Sequence, residues 1–125
     1  MKDLTTALRR ANPALVLSAA VYPTPQTALA RNQDWPRWLT DNLLDHVSPM
    51  IYANDLPTFR SSLDACLSAV SSPSKLLPGI AVVSDEAQPD PSTFASQLRH
   101  LSTSHVLGPA YYPLSPALPP LLQGF

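Results

Sequence analysis

The sequence is short of glycine, charge and cysteine. Three glycines in 125 residues leave no glycine-rich turn behind any apolar segment. A Rossmann fingerprint and a P-loop phosphate cradle are therefore both absent, and no cofactor is expected. Charged residues make up 14 % of the chain, against roughly 25 % in an average soluble domain. So few charges cover a small surface poorly, which points to a face meant for a partner. Lysines and arginines number 8 and acids 9, and no basic patch suits nucleic acid or an anionic membrane. The single cysteine, Cys66, excludes an internal disulfide and a cysteine-based zinc site. His46, His100 and His105 are scattered, so no metal site is expected. No run of about 18 apolar residues is present, and no membrane span is expected. The opening MKDLTTALRRANP is polar and periodic, unlike a signal peptide. Localisation stays open, with the cell envelope or the exterior expected if the chain belongs to a longer exported protein.

Proline, by contrast, is plentiful, with 15 residues spread along the chain. Leu4, Ala7, Leu8 and Ala11 recur at helical spacing over Asp3 to Ala11, and Asn12-Pro13 stops that helix. ALVLSAAVY, Ala14 to Tyr22, is a near-continuous apolar run of strand length that Pro23 and Pro25 end. Such a run fits a strand covered on both faces, as in parallel sheets. Helices are predicted over Trp35 to Leu44, Asp55 to Val70 and Pro91 to Ser102, with Asp34, Asp55 and Asp90 placed as N-caps. Strands are predicted over His46 to Tyr52, Leu76 to Val83 and Val106 to Tyr112. Strand starts fall about 30 residues apart, the length of a βα unit. The expected class is α/β, with parallel strands and helices packed outside. Four units suit either an open doubly wound sheet or half of an eight-stranded barrel, and the scarcity of glycine favours the barrel.

Four stretches in order carry a family likeness: LSAAVYP (Leu17 to Pro23), QDWPRWL (Gln33 to Leu39), LLDHVSPMIY (Leu43 to Tyr52) and PGIAV (Pro78 to Val82). Together they resemble the C-terminal half of the glycosyl-hydrolase-like 10 family, bacterial TIM-barrel proteins related to glycoside hydrolases. In that family a strand of the type SAAVFP is followed by QDW..WL..G..DFV.PM.Y and a later GI strand. The resemblance covers most of residues 1–112. It implies a partial (β/α)8 TIM barrel of about four βα units, a C-terminal half-barrel over residues 1–112, with a proline-rich tail over 113–125. The implied substrate is a polysaccharide or glycan of the cell envelope or another source. The family's acidic fourth-strand motif, resembling DYIRYP, has no counterpart here. The resemblance therefore implies an incomplete fragment without turnover. The alternative is a non-catalytic half-barrel that assembles as a homodimer or with a separate, missing N-terminal half. His46 also stands where the family more often has Phe, and Asp41-Asn42 where it has Gly.

In such a barrel the functional groups sit at the C-terminal ends of the strands. Those ends offer Tyr22; Tyr52, Asn54 and Asp55; Asp85 and Glu86; and Tyr111 with Tyr112. Glycoside hydrolysis needs two carboxyl groups flanking the scissile bond, and Asp55, Asp85 and Glu86 are the weak catalytic candidates. Tyr22, Asp34, Trp35, Met50, Tyr52, Asn54 and Tyr111 are the candidates for substrate binding, with Tyr52 and Tyr111 suited to stacking on sugar rings. Blander roles compete with these. Asp55 and Asp34 fit helix caps, Asp85 and Glu86 a solvated loop, Trp35 a core stripe, and Met50 barrel filling. Pro49, inside the apolar run VSPMIY, is expected to mark a bulge or an edge.

Overall fold

Proline and aspartate together set where the helices begin. The computed structural model describes residues 1–113, 119 and 123. Apart from Pro113, Pro119 and Gln123, the predicted tail over 113–125 lies outside the described residues. The helices are α1 (Lys2–Ala11), α2 (Pro25–Leu29), α3 (Trp35–Thr40), α4 (Leu56–Ser68) and α5 (Pro91–Ser102). Four of the five, α2 to α5, carry Pro in the first turn, where the missing N–H leaves no intrahelical bond unmade. Asp34, Asp55 and Asp90 cap α3, α4 and α5 as expected. Asp90 accepts from the N–H and hydroxyl of both Ser92 and Thr93. The Ser92 hydroxyl first, then the Thr93 N–H, hold its carboxyl well below the usual carboxylate range. Helix α2 was not foreseen. Pro25 opens it behind a Thr24–Thr27 capping box instead of merely ending a strand.

The strands are β1 (Ser18–Val21), β2 (His46–Pro49), β3 (Gly79–Ala81) and β4 (Ala110–Tyr112). β1 pairs in parallel with β2, Ser18 opposite His46 and Val21 opposite Pro49. β3 pairs in parallel with β4, Gly79 opposite Ala110 and Ala81 opposite Tyr112. Between the two pairs there are only isolated bridges, Val47 with Leu76 and Met50 with Gly79. The half-barrel expectation is thus corrected. The chain forms two two-stranded parallel sheets of three- or four-residue strands, not a continuous arc of four βα units. The strand runs are shorter than their apolar stretches: Ala14 to Val16 are exposed and outside β1.

Proline supplies the physical reason for the break. The two bridges share one register, so Pro49 and Pro78 lie opposite each other between them. The register of β3 with β4 places Pro109 at the same level. Prolines donate nothing to a ladder. Ile51 N–H donates to Gly79 O at 2.9 Å; two residues earlier, the equivalent donor to Leu77 O would be the absent N–H of Pro49. The Ser48 hydroxyl takes that place and donates to Leu77 O at 2.7 Å. Pro49 is therefore neither at an edge nor in a bulge on its β1 side, where Val21 remains opposite it and Met50 N–H reaches Val21 O at 2.9 Å.

Alternation along the strands sends Val21, Val47, Pro49 and Ile80 into one sealed layer. Trp35, Leu39, Phe59, Leu63, Phe94, Leu98 and Leu101 from the helices complete it. Cys66 belongs to the same layer. Its thiol donates to Pro23 O, and burial pushes it up to about 12. On the opposite face Ser18 and Ala20 are exposed and His46, Ser48 and Met50 half-buried. Helix α1 docks differently from its apolar pattern. Leu4 and Leu8 are 58 % and 37 % exposed, and the buried contact is Thr5. Thr5 donates to Leu43 O at 3.1 Å, while Arg9 donates to Asn42 O at 2.8 Å and pairs with Asp45 at 3.4 Å. Among the described residues no helix is long and apolar enough to cross a membrane.

Replacing Ser48 by alanine strands the Leu77 carbonyl beside a proline. A loss of about 1 kcal/mol is expected, because a half-buried acceptor loses its donor. Equilibrium denaturant unfolding of Ser48→Ala against the parent checks this.

Candidate functional site

The C-terminal ends of β2, β3 and β4 meet at two tyrosines. The rings of Tyr52 and Tyr112 stack with centroids 5.3 Å apart and planes 13° from parallel, an arrangement aromatic pairs favour when offset. Tyr112 lies on this face because β4 pairs Ala81 with Tyr112 and Ile80 with Tyr111. Alternation then turns Tyr111 inward, where it packs on Phe94 at 6.3 Å. The Tyr52 ring sits over Gly79. A Cβ at that position would meet Tyr52 Cε1 and Pro49 O at 3.4 Å, an ordinary van der Waals contact, so the ring rests against the strand without requiring glycine there.

The loops around the stack are tied to one another. Asn54 Oδ1 accepts from Gln88 N–H at 2.7 Å, joining the loop after β2 to the loop after β3. Gln97, 1 % exposed, donates from Nε2 to Ala53 O at 3.0 Å and fixes the same segment to α5. Ser84 turns the loop after β3 on itself, its Oγ accepting from Glu86 N–H at 3.3 Å and Ala87 N–H at 3.1 Å. This turn sets Glu86 beside the tyrosines. Burial, then the Glu86 carboxylate, then Tyr112 raise the Tyr52 phenol above its ordinary value of 10.0.

The other candidates are distributed unevenly. Asp55 has both oxygens engaged at the start of α4, accepting from Thr58 N–H at 2.8 Å and Thr58 Oγ1 at 2.9 Å. Asp85 is exposed in the same loop as Glu86. Asp34 caps α3, accepting from Arg37 N–H at 3.4 Å, and lines a cleft of about 610 Å³ with Arg37, Trp38 and Asp41. Trp35 is fully buried, so it offers a ligand no surface. Met50 is half-buried and opposite Gly79. Tyr22 stands at the end of β1 under the Arg31 guanidinium, 4.6 Å from its ring centroid, and its hydroxyl accepts from Arg31 at 2.6 Å. The structure thus brings together Tyr52, Asn54 and Glu86 and adds Tyr112. Sequence reasoning chose Tyr111 for stacking. The signal that selects its neighbour is the period-two alternation read from the strand partner of Ala81.

The raised phenol has a definite sign. The fold favours neutral Tyr52, so its contribution to stability is present below the unfolded value and lost as pH rises through the folded one. Tyrosine-resolved NMR titration is expected to show Tyr52 ionising above 10.0. Glu86→Gln lowers that value, and an unchanged titration would place the carboxylate too far away to act. Comparison of the chain with family models, with curated proteins and with solved structures gave no match.

Proposed function

We propose that the chain is a glycoside-hydrolase-like module that recognises a glycan on the Tyr52–Tyr112 platform without hydrolysing it. The observation that carries this reading is the stack itself. Two stacked, nearly parallel rings, of which Tyr112 is 51 % exposed, offer an apolar ring surface of the kind that the C–H face of a pyranose covers. The polar rim supplies direction. The phenol hydroxyls donate or accept, the Glu86 carboxylate accepts, and the Asn54 amide keeps its NH2 donors while its oxygen holds Gln88.

Turnover is a poorer fit than binding. Hydrolysis asks for two carboxyl groups disposed across the scissile bond. Glu86 is the carboxylate that acts on the platform. Asp55 is engaged in capping α4, and Asp85 is the residue next to Glu86 in the same loop.

Calorimetry or NMR titration with peptidoglycan glycan strands and chitin-like oligosaccharides tests the proposal. Saturable binding is expected, with Tyr112→Ala weakening it about fivefold, or ~1 kcal/mol. Absence of saturable binding to any glycan would sink the reading, and product release by the isolated chain would overturn its non-catalytic part.

A second reading, association with another copy of the chain, rests on a separate observation. Leu4, Leu8, Leu15 and Val16 are all exposed, Val16 by 70 %, and they flank β1, which pairs only with β2 among the described residues. An uncovered strand edge beside apolar side chains favours self-association. Sedimentation velocity is expected to show concentration-dependent dimers that Val16→Glu abolishes; a monomer at every concentration speaks against it.

A further inference from the structure

The charges around the tyrosine platform are of one sign. Residues 50–55, 82–90 and 110–113 form or follow the C-terminal ends of β2, β3 and β4. They hold four of the chain's nine acids, Asp55, Asp85, Glu86 and Asp90, and none of its eight lysines and arginines. The whole chain carries a net charge of only −1, so the imbalance is local. The geometry points to a glycan that carries free amino groups as the ligand of the platform. This inference rests on reading the Tyr52–Tyr112 stack as a sugar-binding surface, and it names the class of sugar.

The four acids are not equivalent. Asp55 and Asp90 cap α4 and α5, so helix N-termini answer their charge. Asp85 and Glu86 are exposed loop residues. Glu86 forms no ion pair among the described residues, where the pairs are Arg9–Asp45 and Arg37–Asp41. Arg31, beyond the end of neighbouring β1, is held on Tyr22. Water suits an exposed carboxylate, and position is what gives this one a further use. After burial, its charge is the next influence raising the Tyr52 phenol, so it bears directly on the stack. A pyranose laid with its C–H face on the Tyr112 ring points its equatorial substituents sideways, toward the rim where Glu86 stands. A protonated amine in that place donates a charge-assisted hydrogen bond to the carboxylate. A sugar carboxylate or phosphate in the same place is repelled.

The test is a calorimetric titration of the full chain with the tetrasaccharides of chitosan, chitin and cellulose, which share a linkage and differ at C2. The pH is held where the chitosan amines are protonated. The chitosan oligomer is expected to bind about fivefold more tightly than the cellulose oligomer. Added potassium chloride shrinks that margin, because the attraction is screened. Raising the pH above the amine's pKa removes it. Glu86→Gln also removes it, and because Glu86 is exposed its replacement leaves the core untouched. Asp64→Asn, the same charge change at an exposed position of α4, leaves the margin intact. Equal binding of the three oligomers, weakened alike by Tyr112→Ala, refutes the amine preference and leaves the platform standing, as does tighter binding of the chitin oligomer. Absence of binding by all three refutes the platform and the preference together. A margin that survives Glu86→Gln, or that Asp64→Asn removes equally, refutes the part given to the Glu86 carboxylate.

Discussion

The bond from the Ser48 hydroxyl to the Leu77 carbonyl, with the Leu77 N–H to Val47 O and Ile51 N–H to Gly79 O bonds on either side of it, holds the two halves of the fold in register. Pro49 and Pro78 face each other where β2 and β3 would otherwise pair, and neither ring nitrogen can donate. A side chain stands in for the main chain at that level. The consequence spreads outward. With the ladder restored only at isolated points, the strands stay three or four residues long, and the sheet is stabilised chiefly by the helices packed on one side of it. Trp35, Phe59 and Phe94, all fully buried, supply apolar contact that a longer ladder would otherwise share.

The same level of prolines frames the tyrosine platform. Just beyond it, the Tyr52 ring rests against Gly79, and the β3–β4 register delivers Tyr112 beside it in a stack. The surrounding loops are fastened by polar side chains: Asn54 to the Gln88 amide, Gln97 to the Ala53 carbonyl, Ser84 to its own turn. Each of these bonds crosses from one βα segment to another or closes a turn at the rim. The rings are therefore presented by a fastened surface, which limits the entropy a ligand must remove on binding.

Helix starts were legible in the sequence because they are decided locally. An aspartate followed by a proline within the first turn meets the needs of a helix end without help from the rest of the chain, and α3, α4 and α5 begin where Asp34, Asp55 and Asp90 indicate. Strand extent was not legible, because an apolar run such as Ala14 to Tyr22 records burial and not pairing. Only Ser18–Val21 finds a partner. The broken sheet hides in relative register: three X-Pro steps, each harmless alone, fall at one level once the chain is folded. The platform was half legible. Tyr52 and Glu86 follow from being at strand ends, whereas the choice of Tyr112 over Tyr111 depends on which face of β4 looks at Phe94.

Helix α1 is fastened by Thr5 and Arg9 to the segment Asn42–Asp45, with its leucines turned outward. Three polar contacts at a protein surface resist opening far less than a sealed apolar seam does. Helix α1 is therefore expected to open locally at lower cost than the core, while the remainder stays native. Opening there would uncover the flank of the first strand, where Leu4, Thr5 and Leu8 lie beside Leu17 to Ala19, so amide exchange along that flank would follow the helix and not global unfolding.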